Sequence, residues 1–446
     1  MLRLSSVYYD GAEVPLVGGD AFRSASNTFT VLVGKNGLGK SRLLSRIAKE
    51  CITAVDDPDA YNWPRSKMLR AGPLVIAIST SPFDKFPAPP RKKDRYTKNY
   101  RYVGMRGESM FITSSSISLL SSVTRGLLSK LVLDSNASNL MGVFSALSFF
   151  PEFEFIFKPS FSQPYNQNKY DDGIIMRVGG HSFQIDKRFS PAFETMSRED
   201  RSYIEYALEN VSELFNERKT FSLNVDFLSG GAAINGRRID LHEVNSISIL
   251  MDIGLVRLMD IRAIKDNYGP ISLRSASSGE QCMLVLMLGI AGYIEDGSVI
   301  LIDEPEISLH PEWQEDFMDL LKASFRRYKR CQFIIATHSP QIISRMKGRN
   351  SFIYSLGKGC LYRADQFSSR SADYQLAELF DSPGLMNEYI SRLSFNLVAE
   401  MRSRKVIDAE ISEKLKKLSA IAVNVDEKDP TSKLIESVFL LADKYA

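Results

Sequence analysis

Eight residues restrict the possible folds of this chain more strongly than any other segment: Gly34-Lys35-Asn36-Gly37-Leu38-Gly39-Lys40-Ser41. They fit the pattern G-x-x-x-x-G-K-[ST]. The apolar, β-branched run Thr28 to Val33 comes just before them and predicts a buried strand. Ser41 to Lys49 then places its apolar residues on one helical face. A strand, a glycine-rich turn and a helix in this order predict a loop whose backbone N–H groups hold phosphate oxygens.

Each polar residue of this loop has a predicted role toward ATP and Mg²⁺. Lys40 would neutralise the β- and γ-phosphates, and the Ser41 hydroxyl would bind Mg²⁺. The alternative is an ordinary glycine-rich turn, which the flanking strand and helix disfavour. We assign nucleotide binding to Gly34, Asn36, Gly37, Gly39, Lys40, Ser41 and Arg42.

Two further strands end in chemically active side chains. Ser298 to Ile302 is a buried apolar strand followed by Asp303 and Glu304, at the sheet edge where open α/β folds bind ligands. Asp303 would hold Mg²⁺ through water, and Glu304 would polarise the attacking water. His338 follows the apolar run Gln332 to Ala336 in the same way. Taken alone, the two acids could cap a strand end, and the histidine could be structural.

The segment Ser275-Ala276-Ser277-Ser278-Gly279-Glu280-Gln281 resembles the signature of ATP-binding-cassette (ABC) ATPases in its S-x-G-E-Q form. The resemblance implies that Ser277, Gly279 and Glu280 belong to the segment that binds the γ-phosphate of an ATP held by the opposite subunit. It also implies that His338 is the switch histidine, which contacts the γ-phosphate and the attacking water, so that Glu304 and His338 are the catalytic residues. Because the chain carries one copy of each motif, we expect a head-to-tail homodimer or higher homo-oligomer.

The pattern D-E-P-E-x-x-L-H-P-x-x-Q, from Asp303 to Gln314, resembles the AAA15/AAA21 group, which includes OLD nucleases and phage-defence ATPases. Val75 to Asp84 adds a likeness to the ATPase subunits of the Septu (PtuA) and PARIS (AriA) systems. Two features depart from these families. Ser79-Thr80-Ser81-Pro82 lacks the usual glutamine, so hydrolysis could be slow, and residues 346–446 lack the D-x-D pair of a Toprim domain. We therefore expect any nuclease to be a separate protein.

The expected fold class is α/β. The predicted architecture is an ABC-type ATPase head, a P-loop NTPase with a mainly parallel sheet core and antiparallel N-terminal strands, carrying a large mixed, mostly helical insertion and a helical C-terminal tail. Residues 1–84 and 271–365 are predicted to form the head, and residues 85–270 the insertion. Residues 366–446 are predicted to form a helical region that docks a partner.

Composition restricts the compartment more than the function. The net charge of +3 argues neither for nor against binding of nucleic acid. The four cysteines are scattered along the chain, which suits a reducing compartment. The sequence shows no signal peptide and no apolar run long enough to span a membrane. We predict a cytoplasmic protein with no membrane partner.

Two segments keep open alternatives. Lys85 to Arg106 mixes cations with aromatics, which would suit DNA or RNA. The favoured alternative for this stretch is a solvated loop and a strand edge beside the ATP site, with tyrosines that face the core. Gln375 to Ala446 is either a packing element or a docking surface.

The leading hypothesis for the function is that the chain is the ATPase subunit of an antiphage defence complex and regulates a separate nuclease or toxin. The alternative is a RecF- or SMC-like DNA-maintenance ATPase. A transporter subunit is disfavoured by the D-E-P-E-x-x-L-H-P pattern.

Overall fold

The computed structural model describes most of the chain and divides it into two compact units. The described residues are 4–19, 21, 25–52, 72–87, 99–106, 115–133, 140–162, 173–194, 196–212, 214 and 220–445. The first unit comprises residues 1–47, 310–319 and 332–446, and the second comprises residues 48–309 and 320–331. The four functional segments that the sequence predicts stay a prediction.

Strands and helices are interleaved along the described chain. The strands are β1 (Ser6–Tyr9), β2 (Ala12–Pro15), β3 (Thr28–Val33), β4 (Val75–Ser79), β5 (Tyr100–Gly104), β6 (Phe149–Pro159), β7 (Phe161–Ser162), β8 (Ile174–Val178), β9 (His181–Ile185), β10 (Phe221–Asp226), β11 (Gly231–Ile234), β12 (Arg237–Ile239), β13 (Val256–Lys265), β14 (Gly269–Ser272), β15 (Val299–Asp303), β16 (Gln332–Ala336), β17 (Ser351–Ser355) and β18 (Cys360–Arg363). The helices are α1 (Lys40–Cys51), α2 (Ser115–Leu133), α3 (Met141–Ala146), α4 (Ser190–Glu194), α5 (Arg198–Asn210), α6 (Leu241–Asp252), α7 (Ser278–Ala291), α8 (Pro311–Ser324), α9 (Pro340–Ser344), α10 (Ala372–Glu378), α11 (Glu388–Arg404), α12 (Ala409–Ala422) and α13 (Pro430–Tyr445).

A parallel sheet lies at the centre of the first unit. Strand β3 pairs in parallel with β16 on one side and with β17 on the other, and β18 continues the order antiparallel beside β17. Every residue of β3, β16 and β17 is buried, as expected for parallel strands covered on both faces. Strands β1 and β2 form an antiparallel hairpin, which agrees with the predicted antiparallel N-terminal strands.

The C-terminal part of the first unit is helical, as predicted. Helices α11, α12 and α13 pack around one apolar core, and α10 adds Ala377 to it. The spacing of buried residues along α11 follows one helical face, which explains why this stretch folds as packed helices. The buried core residues are Ile390, Leu397, Met401, Ile411, Leu418, Ile421, Ile435, Val438 and Ala442.

The second unit contains a second set of parallel strands, in the order β15-β4-β5. Strands β4 and β15 are buried throughout, and their register pairs Asp303 with Ser79 at the carboxyl ends. Helix α7 packs against β4, and its residues from Cys282 to Ala291 are all buried. A helix that is apolar on all sides must be covered on all sides, which fits the uniformly hydrophobic run after the signature.

Antiparallel sheets make up much of the predicted insertion. A six-stranded sheet has the order β12-β11-β10-β6-β13-β14, and a three-stranded sheet has the order β7-β9-β8. Strand β6 buries Phe153, Phe155 and Phe157 on alternate positions, which is the period of a half-buried strand. The expectation of a mostly helical insertion is therefore too narrow, because the described residues of this segment divide between helices and strands.

None of the described helices combines the length and the hydropathy needed to cross a membrane.

Candidate functional site

The glycine-rich loop between β3 and α1 has the backbone conformation of a phosphate cradle. Gly34, Gly37 and Gly39 adopt φ values of 151°, 84° and 97°, which side chains with a Cβ rarely tolerate. A Cβ on Gly39 would also lie 2.5 Å from the hydroxyl oxygen of Tyr9. The backbone conformation therefore requires glycine at all three positions, and the available space also requires it at Gly39. A Cβ on Gly37 would meet none of the described atoms within 4 Å, so at this position only the backbone conformation requires glycine.

Lys40 begins α1 and is turned back into its own loop. Its ammonium, in a residue only 4% exposed, donates to the carbonyl oxygens of Gly34 at 2.8 Å and Lys35 at 3.1 Å. The same Nζ lies 3.1 Å from Nδ1 of His338. Strands β3 and β16 are parallel neighbours, so the loops that follow them leave the same edge of the sheet. Two predicted site residues from opposite ends of the chain thus meet at one point.

The loop that carries His338 is held by a neighbouring side chain. Ser339 is the N-cap residue of α9, but its hydroxyl makes no capping bond. Instead the hydroxyl donates to Oε1 of Gln314 at 2.6 Å and lies 2.9 Å from Oε1 of Gln341, while its backbone N–H donates to the Thr337 hydroxyl. Gln314 is the last residue of the D-E-P-E-x-x-L-H-P-x-x-Q pattern. The pattern therefore includes a residue that fixes the backbone beside His338.

The acidic pair lies at the carboxyl end of β15. Asp303 is its last residue and is 3% exposed, although it carries a carboxylate. Glu304 follows with a left-handed backbone, φ 48°, which costs a non-glycine residue roughly 1–2 kcal/mol. Such strain is maintained only where the surrounding structure imposes it, and it turns the chain sharply away from the strand. Ser79, at the end of β4, is the register partner of Asp303 and is fully buried.

The donor chemistry at these positions suits Mg²⁺. The Asp303 carboxylate, in the second unit, is a hard oxygen ligand of the kind that Mg²⁺ prefers, and the Ser41 hydroxyl, in the first unit, belongs to the same chemical class. Mg²⁺ normally keeps few protein ligands beside phosphates and water. Within the described part of the chain, no group of three or more His, Cys, Asp or Glu side chains forms a metal cage. Mg²⁺ bound with a nucleotide neutralises charge on the β- and γ-phosphates.

The signature segment forms an exposed helix start. Ser277 is the N-cap of α7, and its hydroxyl accepts a bond from the Glu280 N–H at 3.3 Å. Oε2 of Glu280 accepts in return from the backbone N–H and the hydroxyl of Ser277. This reciprocal capping box satisfies helix-end donors and leaves Ser277 exposed to solvent. Gly279 is buried in the first turn.

Cys282 connects the signature helix to both neighbouring strand ends. Its sulfur lies 3.6 Å from the Thr80 hydroxyl and 3.6 Å from the carbonyl oxygen of Pro305. Thr80 follows β4, and Pro305 follows the acidic pair. The first turns of α7 therefore contact the segment after β4 and the segment after β15, where the predicted catalytic residue Glu304 lies.

Residues 196–344 match a family model, AAA_21, described as "AAA domain, putative AbiEii toxin, Type IV TA system". The chain is similar to AAA_21-type ATPases. The matched range contains the signature, the acidic strand end and His338, whereas Gly34–Ser41 lies outside it.

Two curated relatives support the same ATPase type. A Retron Ec83 probable ATPase of Escherichia coli is 32% identical over 111 residues, which cover 22% of this chain and 20% of that protein. A Retron Vc95 probable ATPase of Vibrio cholerae serotype O1 biovar El Tor is 25% identical over 178 residues, or 34% and 32% of the two chains. The matches thus span a third or less of each relative.

One solved structure, "Crystal structure of the SmcHead bound to the C-winged helix domain of ScpA", shares 14% identity with this chain. The alignment covers 34% of this chain and 70% of that chain, with a TM-score of 0.19, too low to compare the folds in detail.

The candidate site includes residues that were not predicted from the sequence. Tyr9, on β1, places its hydroxyl 3.4 Å from the Gly39 carbonyl oxygen, and no local pattern marks it. The sequence around Cys282 carries no disulfide or metal-site spacing, so it gives no signal for the contacts of this thiol. Gln314 ends the D-E-P-E-x-x-L-H-P-x-x-Q pattern, and its place in that pattern is the sequence signal for its structural role.

The described part of the basic stretch packs partly inward. Phe86 and Tyr100 are each 3% exposed, and the Tyr102 hydroxyl donates to Asp84 at 2.7 Å. Arg106 forms an ion pair with the same carboxylate. These contacts favour the core-facing alternative for the described aromatics over a nucleic-acid surface. Residues 88–98 of this stretch, including Tyr96, lie outside the described residues.

The packing of Cys282 predicts a pattern of thiol reactivity. Burial raises the pKa of the Cys282 thiol to about 11, so at pH 8 about one molecule in a thousand carries the reactive thiolate. Cys360 is exposed, whereas Cys51 and Cys331 are buried. We expect a maleimide at pH 8 to modify Cys360 alone in the folded chain, as read by peptide mass mapping. Rapid labelling of Cys282 would contradict its position beneath the signature.

Proposed function

We propose that this chain is an ABC-class ATPase subunit of an antiphage defence complex. Two copies bind ATP and Mg²⁺ head to tail, hydrolyse ATP slowly, and thereby regulate a separate nuclease or toxin. The observation that carries the proposal is the contact of Lys40 with His338 at the edge of the β3–β16 pair. A cation and a histidine that meet beside a glycine loop suit a γ-phosphate and its attacking water.

The relatives support the defence setting. Both are described as retron ATPases, and the matching family model is described by a toxin–antitoxin system. A chain in such a system would act as a switch, in which the nucleotide state controls a bound effector.

The signature supports the dimer. Ser277 is exposed at the start of α7, where backbone N–H groups and the helix dipole favour an anion. A phosphate of the ATP held by a second copy would bind at this N-terminal end of α7. Each site would then consist of Gly34–Ser41 from one protomer and Ser277–Gly279 from the other.

The C-terminal helices support a docking region within residues 366–446. The Lys35 ammonium, in the glycine loop, donates to Oδ1 of Asn424 at 2.6 Å, in the turn between α12 and α13. A change in the loop on ATP binding would therefore reach these helices. Several large apolar side chains are exposed on these helices and on the segments that connect them, and they could meet an effector: Leu385, Met386, Phe395, Val406, Val423 and Leu440.

Subunit complementation tests the composite site. Lys40→Ala and Ser277→Phe should each abolish ATP hydrolysis, because each variant homodimer lacks one half of both sites. An equimolar mixture should regain at most about half of the wild-type rate, since each dimer of one Lys40→Ala chain and one Ser277→Phe chain holds one intact site of two. The measurement is phosphate release after mixing and re-equilibration.

The matched control mixes Lys40→Ala with the Lys40→Ala/Ser277→Phe double variant. That mixture contains no dimer with an intact site, and it should stay inactive. A first mixture no more active than the sum of its two components would overturn the head-to-tail arrangement.

A further inference from the structure

Lys265 is the last residue of β13 and faces the signature. Its ammonium lies 3.0 Å from Oε1 of Glu280, and the two side chains are 22% and 31% exposed. The same ammonium lies 5.1 Å from the centre of the Tyr268 ring and 6.0 Å from the centre of the Phe149 ring. Three contacts from different positions thus hold one cation beside the signature, which is more than a freely solvated lysine would show.

The Glu280 carboxylate divides its two oxygens between two partners. Oε1 faces Lys265, whereas Oε2 accepts from the backbone N–H of Ser277 at 3.2 Å and from its hydroxyl at 3.1 Å. The hydrogen bond from Lys265 is the largest contribution that lowers the pKa of Glu280. Glu280 is therefore a carboxylate anion at neutral pH, directly behind the hydroxyl that the proposed function assigns to a γ-phosphate.

An anion at this position creates an electrostatic conflict. A triphosphate approaching Ser277 would meet the negative charge of Glu280, and like charges at such short range oppose binding. An ammonium paired with Glu280 removes this conflict while keeping the capping bonds that shape the helix start. Lys265 is the residue that the structure places in that position.

We propose that Lys265 is a positioning residue for the signature, acting through Glu280. Lys265 offsets the charge of the Glu280 carboxylate and fixes its position through the ion pair. The start of α7 can then bind the triphosphate that a second copy of this chain presents. This inference rests on the proposed function, because it concerns the step at which the dimer closes on ATP. It also connects the six-stranded sheet, through β13, to the start of α7.

The test compares Lys265→Met, which keeps the length of the side chain and removes its charge, with the wild type. Half-maximal dimerisation with a non-hydrolysable ATP analogue, followed by light scattering, should need about threefold to tenfold more analogue. Binding of a fluorescent ATP analogue to the dilute monomer should not change, because Gly34–Ser41 is intact. Lys265→Arg should restore dimerisation.

Two measurements separate an electrostatic role from a merely structural one. Raising the salt concentration should narrow the gap between Lys265→Met and wild type, since screening weakens the repulsion from Glu280. In a Glu280→Gln background, which retains the capping box, Lys265→Met should have no further effect. A defect that is equal in both backgrounds would overturn the proposal.

The matched control is Arg262→Met. Arg262 lies on the same strand and forms a comparable ion pair with Glu154 at 3.4 Å, outside the signature. It should dimerise like the wild type. If wild type itself fails to dimerise with the analogue, the proposed function fails. If wild type and Lys265→Met dimerise alike, only the role of Lys265 fails.

Discussion

Lys40→Ala should weaken ATP binding by about tenfold to a hundredfold, the loss expected when a charged hydrogen-bonding group is removed from a phosphate site. Lys40 is 4% exposed, and its ammonium is held by the Gly34 and Lys35 carbonyls, so its position is set before nucleotide arrives. Little free energy is needed to orient a cation that is already in place. Removing it should therefore lower the ATP-binding free energy by nearly the full value of the contact. The measurement is titration calorimetry with ATP and Mg²⁺.

Lys49→Ala is the matched control for this substitution. Lys49 lies near the end of the same helix, α1, and is exposed, so it loses the same charge without touching the loop. It should bind ATP like the wild type. Hydrolysis and ATP-dependent dimerisation should both be lost in Lys40→Ala. Unchanged ATP affinity in this variant would show that nucleotide does not bind at Gly34–Ser41.

Much of the fold follows from short local patterns in the sequence. The buried strands β3, β15 and β16 were predicted to within about a residue, because uninterrupted apolar runs ending in glycine or polar residues carry a strong signal. The antiparallel sheet of β6, β10 and β13 was not predicted as a sheet. Its strands pair across long stretches of chain, for example Phe155 with Leu223 and with Ile261, and local periodicity does not specify such partners.

The candidate site divides in the same way. Lys40, Asp303, Glu304 and His338 stand in motifs whose spacing encodes their chemistry, so the sequence was enough to select them. The pairing of Lys265 with Glu280 and the contacts of Cys282 depend on tertiary packing, and no motif marks them. The residues that bind were therefore easier to predict than the residues that hold them in place.

Glu304→Gln should slow hydrolysis by about a hundredfold to ten-thousandfold, the usual contribution of a positioned general base. The amide keeps the size of the side chain but no longer draws a proton from water. Because ATP would still bind at Gly34–Ser41 and Ser277, we expect the variant to accumulate as an ATP-loaded dimer. The left-handed backbone of Glu304, φ 48°, should tolerate glutamine as well as it tolerates glutamate.

Glu312→Gln provides the control, because it removes the same charge from an exposed position in the first turn of α8. Sedimentation in ATP and Mg²⁺ should show a stable dimer for Glu304→Gln. Wild type and Glu312→Gln should return to monomer as ATP is consumed.

Adding Lys40→Ala to Glu304→Gln should abolish the dimer, since closure needs bound ATP. A Glu304→Gln chain that hydrolyses ATP at the wild-type rate would remove Glu304 from the mechanism. A chain that binds ATP yet remains monomeric would instead refute the composite site.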